Sequence, residues 1–415
     1  MKQIDIQLDD STLGEITQVG HLTHDQSKTG DTVRFEYSQT WLDGAEPITS
    51  FALDQELILA RGAHYASAGA NQLSGIFLDC SPDRWGKMLM DRREAIEARE
   101  EKRSIKALRS WDYLVGVNDE SRMGALRLYD AAAEKYVDTR NRSAPPITEL
   151  RTLEEAARIV ESGDDENVDK WLKQLIDPGA SLGGARPKAS FRDTDGSLWL
   201  AKFPASDDRR DVGLWEYLTQ QLSLQAGINM PPARALKLST HGHTFAVQRF
   251  DRTRHSRRLY ASAMTRLARI DSNGASYLDI VQAIENDGTS THIKQQLVQL
   301  FRRVLFNIIM GNRDDHLRNH GFLREGNGWM LSPAFDVNPN PEKSEHVLSI
   351  DGNDASPDSA LLMETAAHYR LTSDAANTVA EEVRNAVRDW DKKAKTLGLR
   401  NSEIMLMQSV INPER

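Results

Sequence analysis

The chain has a single cysteine, Cys80, in 415 residues. Within one chain that excludes a disulfide framework and a multi-cysteine zinc site. A lone thiol suits a reducing cytoplasm, and a cytoplasmic protein is the expectation. No run of 18 apolar residues is present, so no transmembrane helix and no membrane role are expected. The start, Met1-Lys2-Gln3-Ile4-Asp5, carries no apolar stretch of the signal-peptide kind. Basic residues are not in excess: 52 Lys and Arg stand against 61 Asp and Glu, a net charge of −9. Non-specific DNA binding by the whole chain is therefore disfavoured, leaving only a local basic patch for that role. Internal repeats and long low-complexity segments are also missing.

What is there is ordinary for a soluble globular protein, with 39% hydrophobic and 27% charged residues. The length suits two to three domain-sized units, or one two-lobed fold with an added module. In the first third, 4–8 and 33–37 read as strands. Residues 88–103, rich in Arg, Glu and Ala, read as a helix with a solvated face carrying Arg92, Arg93, Glu97, Glu100 and Glu101. Residues 124–128 look like a strand closing this region. The linker candidate is 141–146, with Ser143, Pro145 and Pro146. A helix is expected over 148–160, and the acidic run Asp164-Asp165-Glu166 reads as a loop or helix start.

From Gly179 the pattern changes. A glycine-rich loop precedes strands at 189–192 and 198–203, joined by the turn Asp193-Thr194-Asp195-Gly196. A helix follows at 212–226, then a hairpin over 233–249 turning at His241-Gly242. Beyond Asp251 helices dominate. Leu297, Phe301, Val304, Leu305 and Ile308 share one apolar stripe, and Gly311 is placed to stop that helix. The expected class is α+β, a two-lobed protein-kinase-like fold with a β-rich N-terminal subdomain and a helical C-terminal lobe. The expected boundaries are 1–145, 146–250 and 251–415.

Phosphoryl transfer from ATP needs a backbone cradle for phosphates, a cation, oxygen ligands for Mg²⁺ and a base for the acceptor hydroxyl. The cradle candidate is Gly179-Ala180-Ser181-Leu182-Gly183-Gly184-Ala185-Arg186-Pro187-Lys188. Its glycines let N–H groups approach phosphate oxygens. It lacks the Gly-Lys-Ser/Thr of a Walker A loop, and by itself it could be a plain turn. The cation candidate is Lys202, which could equally be a snorkelling edge residue. Glu216 on the following helix could be its ion-pair partner. An adenine ring would take backbone groups from the hinge Val247-Gln248-Arg249-Phe250.

The most informative segment is Gly311-Asn312-Arg313-Asp314-Asp315-His316-Leu317-Arg318-Asn319. In a kinase catalytic loop a base Asp precedes a metal-binding Asn by five positions, and Asp314 and Asn319 have that spacing. An isolated match is cheap in a chain this long. Its place after an apolar helix and before Asp336 gives it weight. Residues 322–331, centred on Gly326-Asn327-Gly328, read as a hairpin returning the chain so that Asp336 can face Asn319. One Asn and one Asp suffice for Mg²⁺, which shares its coordination with phosphates. The other reading of Asp336 is a turn start before Asn338-Pro339. His316 has no partner at a zinc-ligand spacing and fits loop support or phosphate contact better.

Ser181 to Lys188, Lys202-Phe203-Pro204, Arg249-Phe250-Asp251-Arg252, the loop 311–319 and Pro333-Ala334-Phe335-Asp336 together resemble the HipA toxins, bacterial serine/threonine kinases of type II toxin–antitoxin modules. The likeness covers nearly the whole chain. Asp79-Cys80-Ser81-Pro82-Asp83-Arg84-Trp85-Gly86 and Gly124-Ala125-Leu126 resemble the family's N-terminal subdomain. The resemblance implies that Gly183, Gly184, Ala185, Arg186, Pro187 and Lys188 wrap the ATP phosphates and that Lys202 binds them. It implies that Gln248, Arg249 and Phe250 hold adenine. Asp314 would be the proton acceptor. His316, Leu317, Arg318 and Asn319 would line the nucleotide with Phe335, while Asn319 and Asp336 hold Mg²⁺. Ser181 would be the autophosphorylation site. The implied partners are a HipB-like helix-turn-helix antitoxin and, only through it, operator DNA. The implied protein substrate is an aminoacyl-tRNA synthetase. The loop Gly-Gly-Ala-Arg-Pro-Lys departs from the best-known member's version, which leaves the target open. Two other readings compete: a small-molecule phosphotransferase, and a non-catalytic co-repressor acting with an antitoxin.

Overall fold

The computed structural model describes residues 2–27, 30–44, 49–66, 73–139, 144–162, 168–179, 184–254 and 256–414. Asn141 to Ser143 of the linker candidate, the acidic run at 164–166, and Ser181 and Gly183 of the glycine loop lie outside these residues. Helices and antiparallel sheets are both present, an α+β architecture, divided into two compact units.

The first unit comprises Met1–Asp208 and Lys237–Ala261. Its N-terminal part is an antiparallel sheet of six strands: β1 (Lys2–Leu8), β2 (Thr17–Ser27), β3 (Gly30–Tyr37), β4 (His64–Tyr65), β5 (Leu126–Asp130) and β6 (Lys135–Tyr136). Their order is β4-β3-β2-β1-β5-β6. In β1 Ile4, Ile6 and Leu8 alternate buried with more exposed neighbours, as a sheet covered on one face requires. Phe35 and Phe77 fill that face, with ring centroids 5.5 Å apart.

The Arg84–Glu100 helix follows the expected pattern, but its charged residues are less solvated than periodicity suggests. Arg92 donates to the Val160 carbonyl, and buried Glu94 receives Arg103 (3.0 Å) and the Lys106 N–H (2.7 Å). The expected helix at 148–160 is there as Leu150–Ser162, preceded by a 3₁₀ turn. A further helix, Val168–Gly179, begins just after the acidic run that read as a loop or helix start. The next strands are β7 (Lys188–Arg192) and β8 (Leu198–Lys202), turning at Gly196 with φ 83. Thr244–Gln248 pairs with β8.

A buried ion cluster fastens 249–259 to this N-terminal part. Asp251 receives Gly124 N–H at 2.7 Å, Arg249 Nε at 2.7 Å and an Arg252 guanidinium nitrogen at 2.7 Å. Burial alone would raise the Asp251 carboxyl, but the arginines overcome it and hold it well below the usual carboxylate range.

The second unit comprises Arg209–Leu236 and Ser262–Arg415 and is mainly helical. Its centre is the Ile293–Met310 helix, where Leu297, Phe301, Val304, Leu305 and Ile308 are fully buried. Phe301 meets Tyr369 edge-on at 5.3 Å, and Trp215 of the Val212–Gln225 helix lies 6.0 Å from Trp390. The expected hairpin is Gly321–Glu325 paired with Gly328–Leu331, with Gly326 at φ 57 in the turn. Among the described residues no helix is long and apolar enough to cross a membrane.

Candidate functional site

In the second unit the site grows from the end of the Ile293–Met310 helix. Gly311 takes φ 69, the left-handed cap that glycine adopts without strain. A Cβ there would stand 2.8 Å from the Val410 Cβ. The helix stops and releases 312–319 as a loop. The first turn of that loop is held by Asn307, whose carbonyl accepts Asn312 N–H at 3.0 Å and whose Oδ1 accepts the Asn312 amide at 3.0 Å.

Two adjacent aspartates then take opposite fates. The Asp314 side chain is 56% exposed and carries the Lys343 ammonium on Oδ1. Asp315 is buried, and its Oδ2 accepts Tyr277 Oη at 2.9 Å, Asn307 Nδ2 at 2.7 Å and His320 Nε2 at 2.7 Å. Burial by itself would raise the Asp315 carboxyl. His320, Tyr277 and His316 together outweigh burial and hold it below its ordinary value. Burial, and then Asp315, push the Tyr277 hydroxyl well above its own ordinary value, so it stays a donor. Burial likewise lowers the Arg303 guanidinium to about 10, against the pull of Asp315. This network fixes the loop from beneath and leaves Asp314 as its outward carboxylate.

Asn319 ends the loop in a 3₁₀ turn, where its N–H bonds the His316 carbonyl at 2.8 Å. Its Nδ2 donates to the Asp314 carbonyl at 3.3 Å, which leaves Oδ1, a hard oxygen suited to Mg²⁺. Asp336 sits at φ 57, a left-handed backbone that residues with a Cβ rarely adopt. Such conformations persist where the surroundings impose them, commonly at functional sites. Asn319, Phe335 and Val337 border one small cavity with Asp315 and His320, about 10 Å³ for a water centre and so room for roughly one water. The residues on both sides of Asp336 thus share a wall with Asn319. An amide and a carboxylate oxygen match the chemistry of Mg²⁺, and among the described residues no three His, Cys, Asp or Glu side chains converge as a metal group.

Other residues of the loop face elsewhere. Leu317 is fully buried, with its N–H on Ser272 Oγ at 3.1 Å. Arg318 Nε contacts Met264 Sδ at 3.3 Å. His316 is half-buried, and its Nδ1 lacks a hydrogen-bond partner among the described residues.

In the first unit the described end of the glycine loop is stitched down. Gly184 takes φ 98, where a Cβ would come within 2.5 Å of Lys188 Nζ. Its N–H reaches Asp83 Oδ2 at 2.7 Å and its carbonyl accepts Trp85 N–H at 3.2 Å. Trp85 Nε1 donates to the Lys188 carbonyl at 3.0 Å, and Phe203 N–H to that of Pro187 at 2.9 Å. Arg186 forms a two-pronged pair with Asp208, 2.6 Å on each arm. Lys188 is buried and pairs in register with Lys202, whose ammonium lies 5.7 Å from the Phe245 ring centre. Arg249 is committed through its side chain to the ion cluster, and its N–H bonds the Leu198 carbonyl at 2.9 Å. In the second unit Glu216 is buried on its helix.

Sequence reasoning missed Asp83, Tyr277, Asn307, Asp315, His320 and Lys343. Asn307 did leave a signal, as an amide within an apolar helix end.

Comparison with known proteins bears on the fold and the family. A curated Haemophilus influenzae protein carrying a provisional kinase name is 24% identical over 196 residues, covering 41% of this chain and 57% of its own length. The match thus spans little more than half of that relative. HipA from the solved Shewanella oneidensis MR-1 toxin–antitoxin complex of HipA, HipB and its operator DNA superposes with a TM-score of 0.63 at 16% identity. That superposition covers 98% of this chain and 94% of the other, and it establishes the fold. Residues 180–390, just over half of the chain, match the HipA-like C-terminal domain, and the chain belongs to that family.

Proposed function

We propose that the chain is a serine/threonine protein kinase that transfers the γ-phosphoryl of ATP to a protein hydroxyl. The observation that carries this reading is the loop 314–319. It holds an outward carboxylate at Asp314 and an amide at Asn319, five residues on, which shares a cavity wall with the neighbours of Asp336. The acceptor oxygen bonds to the γ-phosphorus, the bond to the β–γ bridging oxygen breaks, ADP departs, and the hydroxyl proton passes to Asp314. Mg²⁺, held by Asn319 and Asp336, would neutralise charge on the phosphates. Gly184 to Lys188, with Gly183 before them, would cradle phosphates through backbone N–H groups. Lys202 would supply the cation. The Asp315 network holds the loop from beneath.

Ser181 is the proposed autophosphorylation site. A phosphate there would place negative charge where ATP phosphates bind and silence the enzyme. The proposed partner is a HipB-like helix-turn-helix antitoxin, which would bring this acidic chain to operator DNA. Its support is that the Shewanella protein was solved with HipB and operator DNA. An aminoacyl-tRNA synthetase is the proposed target.

The test is incubation of purified protein with Mg²⁺ and γ-labelled ATP, followed by phosphosite mapping by mass spectrometry. Label on Ser181, and on an acceptor protein added to the incubation, is the expected result. Absence of both nucleotide binding and labelling would overturn the reading.

A further inference from the structure

The segment after Asp336 is joined to the loop 311–314 at three points. Asn340 N–H bonds the Gly311 carbonyl at 2.8 Å. The buried Arg313 guanidinium donates to the Lys343 carbonyl, and the Lys343 ammonium lies on Asp314 Oδ1. Pro339 and Pro341 fix two backbone φ angles between Asp336 and Lys343. An exposed ion pair alone contributes little, because two long side chains must be ordered in water. Here the lysine backbone is already ordered by Arg313 and by the prolines, so only the side chain remains to be placed.

We propose that Lys343 is a positioning residue for the base. By binding Oδ1 it fixes the plane of the Asp314 carboxylate and leaves Oδ2 to accept the proton of the incoming hydroxyl. The Asp314 side chain is exposed on its loop and would otherwise sample several rotamers, few of them within hydrogen-bond reach of an acceptor. Arg313 acts one step further back by holding the strut that carries the lysine. This inference deepens the kinase reading and rests on it.

The experiment measures ADP release and incorporation of γ-labelled phosphate into the protein itself, in saturating Mg-ATP and across an ATP titration. The variants are Lys343→Met, Lys343→Arg, Asp314→Ala and the double change Lys343→Met with Asp314→Ala. Lys343→Met should lower kcat roughly 10- to 100-fold, the scale of a lost orienting contact. KM for ATP should stay within about twofold and the melting temperature should not change, since the pair is exposed. Lys343→Arg should recover most of the rate. The double variant should be no slower than Asp314→Ala, because the lysine works through that carboxylate. A kcat for Lys343→Met equal to or above wild type overturns the role of Lys343 and leaves the kinase reading standing. A further drop in the double variant overturns it too. Wild-type protein that binds no ATP and transfers nothing overturns both.

Discussion

The Asp83 carboxylate accepts the backbone N–H of Gly184 at 2.7 Å, tying the start of the Arg84–Glu100 helix to the described end of the glycine loop. Asp83 stands at the helix N-cap but makes no side-chain cap bond to that helix, and its Oδ2 accepts the loop N–H instead. Trp85 adds a second tie through the Lys188 carbonyl. Removing the carboxylate should loosen the loop without touching Asp314. A hydrogen bond to a charged group contributes about 1.5–3 kcal/mol, and part of that will appear as weaker nucleotide binding. Asp83→Ala should raise KM for ATP roughly three- to tenfold, which is about 0.7–1.4 kcal/mol and so a part of that contribution, with kcat near wild type. Asp83→Asn, which keeps an acceptor oxygen, should recover part of the loss. Titration with a fluorescent ATP analogue checks this, and unchanged affinity in Asp83→Ala would show that the tie is structural only.

The legible parts of this molecule were those written in local pattern. Period-two alternation marked β1 and β3, the apolar stripe marked the Ile293–Met310 helix, and Gly311 and Gly326 marked its end and the following turn. The spacing from Asp314 to Asn319 pointed to the loop because that chemistry sets its own distance along the chain. Long-range partnerships were not legible. Nothing near Asp315 announces Tyr277, 38 residues away, and nothing near Asp83 announces Gly184, 101 residues away. The roles of Arg249 and Asp251 were also hidden. An Arg-x-Asp-Arg string reads the same whether it meets a ligand or forms a buried ion cluster, and only the fold brings Gly124 to it. The extent of the Val168–Gly179 helix was missed, although the acidic stretch before it read as a loop or helix start.

Asp315 gives a stability prediction with a definite sign in pH. Its folded carboxyl lies below the ordinary value, so its contribution is fully present above the ordinary carboxylate range and is lost as pH falls through the folded value. Asp315→Ala would orphan the donors of Tyr277, Asn307 and His320 in a buried site. The expected destabilisation is on the order of 3–5 kcal/mol. Urea unfolding at neutral pH should show the loss, and it should shrink toward acid, where wild type loses the same contribution. A difference that stays constant from neutral pH to below the carboxylate range would show that the carboxylate charge contributes nothing.

Cys80 should be inert in the native protein. The side chain is buried and its Sγ faces the Met123 carbonyl at 3.5 Å. Burial pushes the thiol up to about 12, against the nearby Arg122. The thiolate is the nucleophile, so both its scarcity and its enclosure slow alkylation. Iodoacetamide at pH 8 should leave native protein unmodified while denatured protein is alkylated completely, as intact-mass spectrometry would record. Equal rates in the two states would mean that this part of the first unit opens readily.

Asp336 separates backbone demand from charge. At φ 57 the position favours Gly, Asn or Asp, whose left-handed backbone costs less than that of other side chains. Asp336→Asn keeps that tolerance and the side-chain shape but removes the charge that a cation would need. Stability should therefore stay within about 1 kcal/mol of wild type, the scale of an exchanged neutral hydrogen bond. Phosphoryl transfer should fall by several orders of magnitude. Asp336→Val should lose both, since a β-branched residue at positive φ is strained by about 1–2 kcal/mol. Asp314→Ala should match Asp336→Asn in fold and lose on the order of 10²–10⁴ in rate, as expected for a missing base. Melting curves and single-turnover labelling, measured side by side, decide the matter. Near-normal labelling in Asp336→Asn would leave its left-handed backbone as a feature of the fold alone and remove the carboxylate from the cation site.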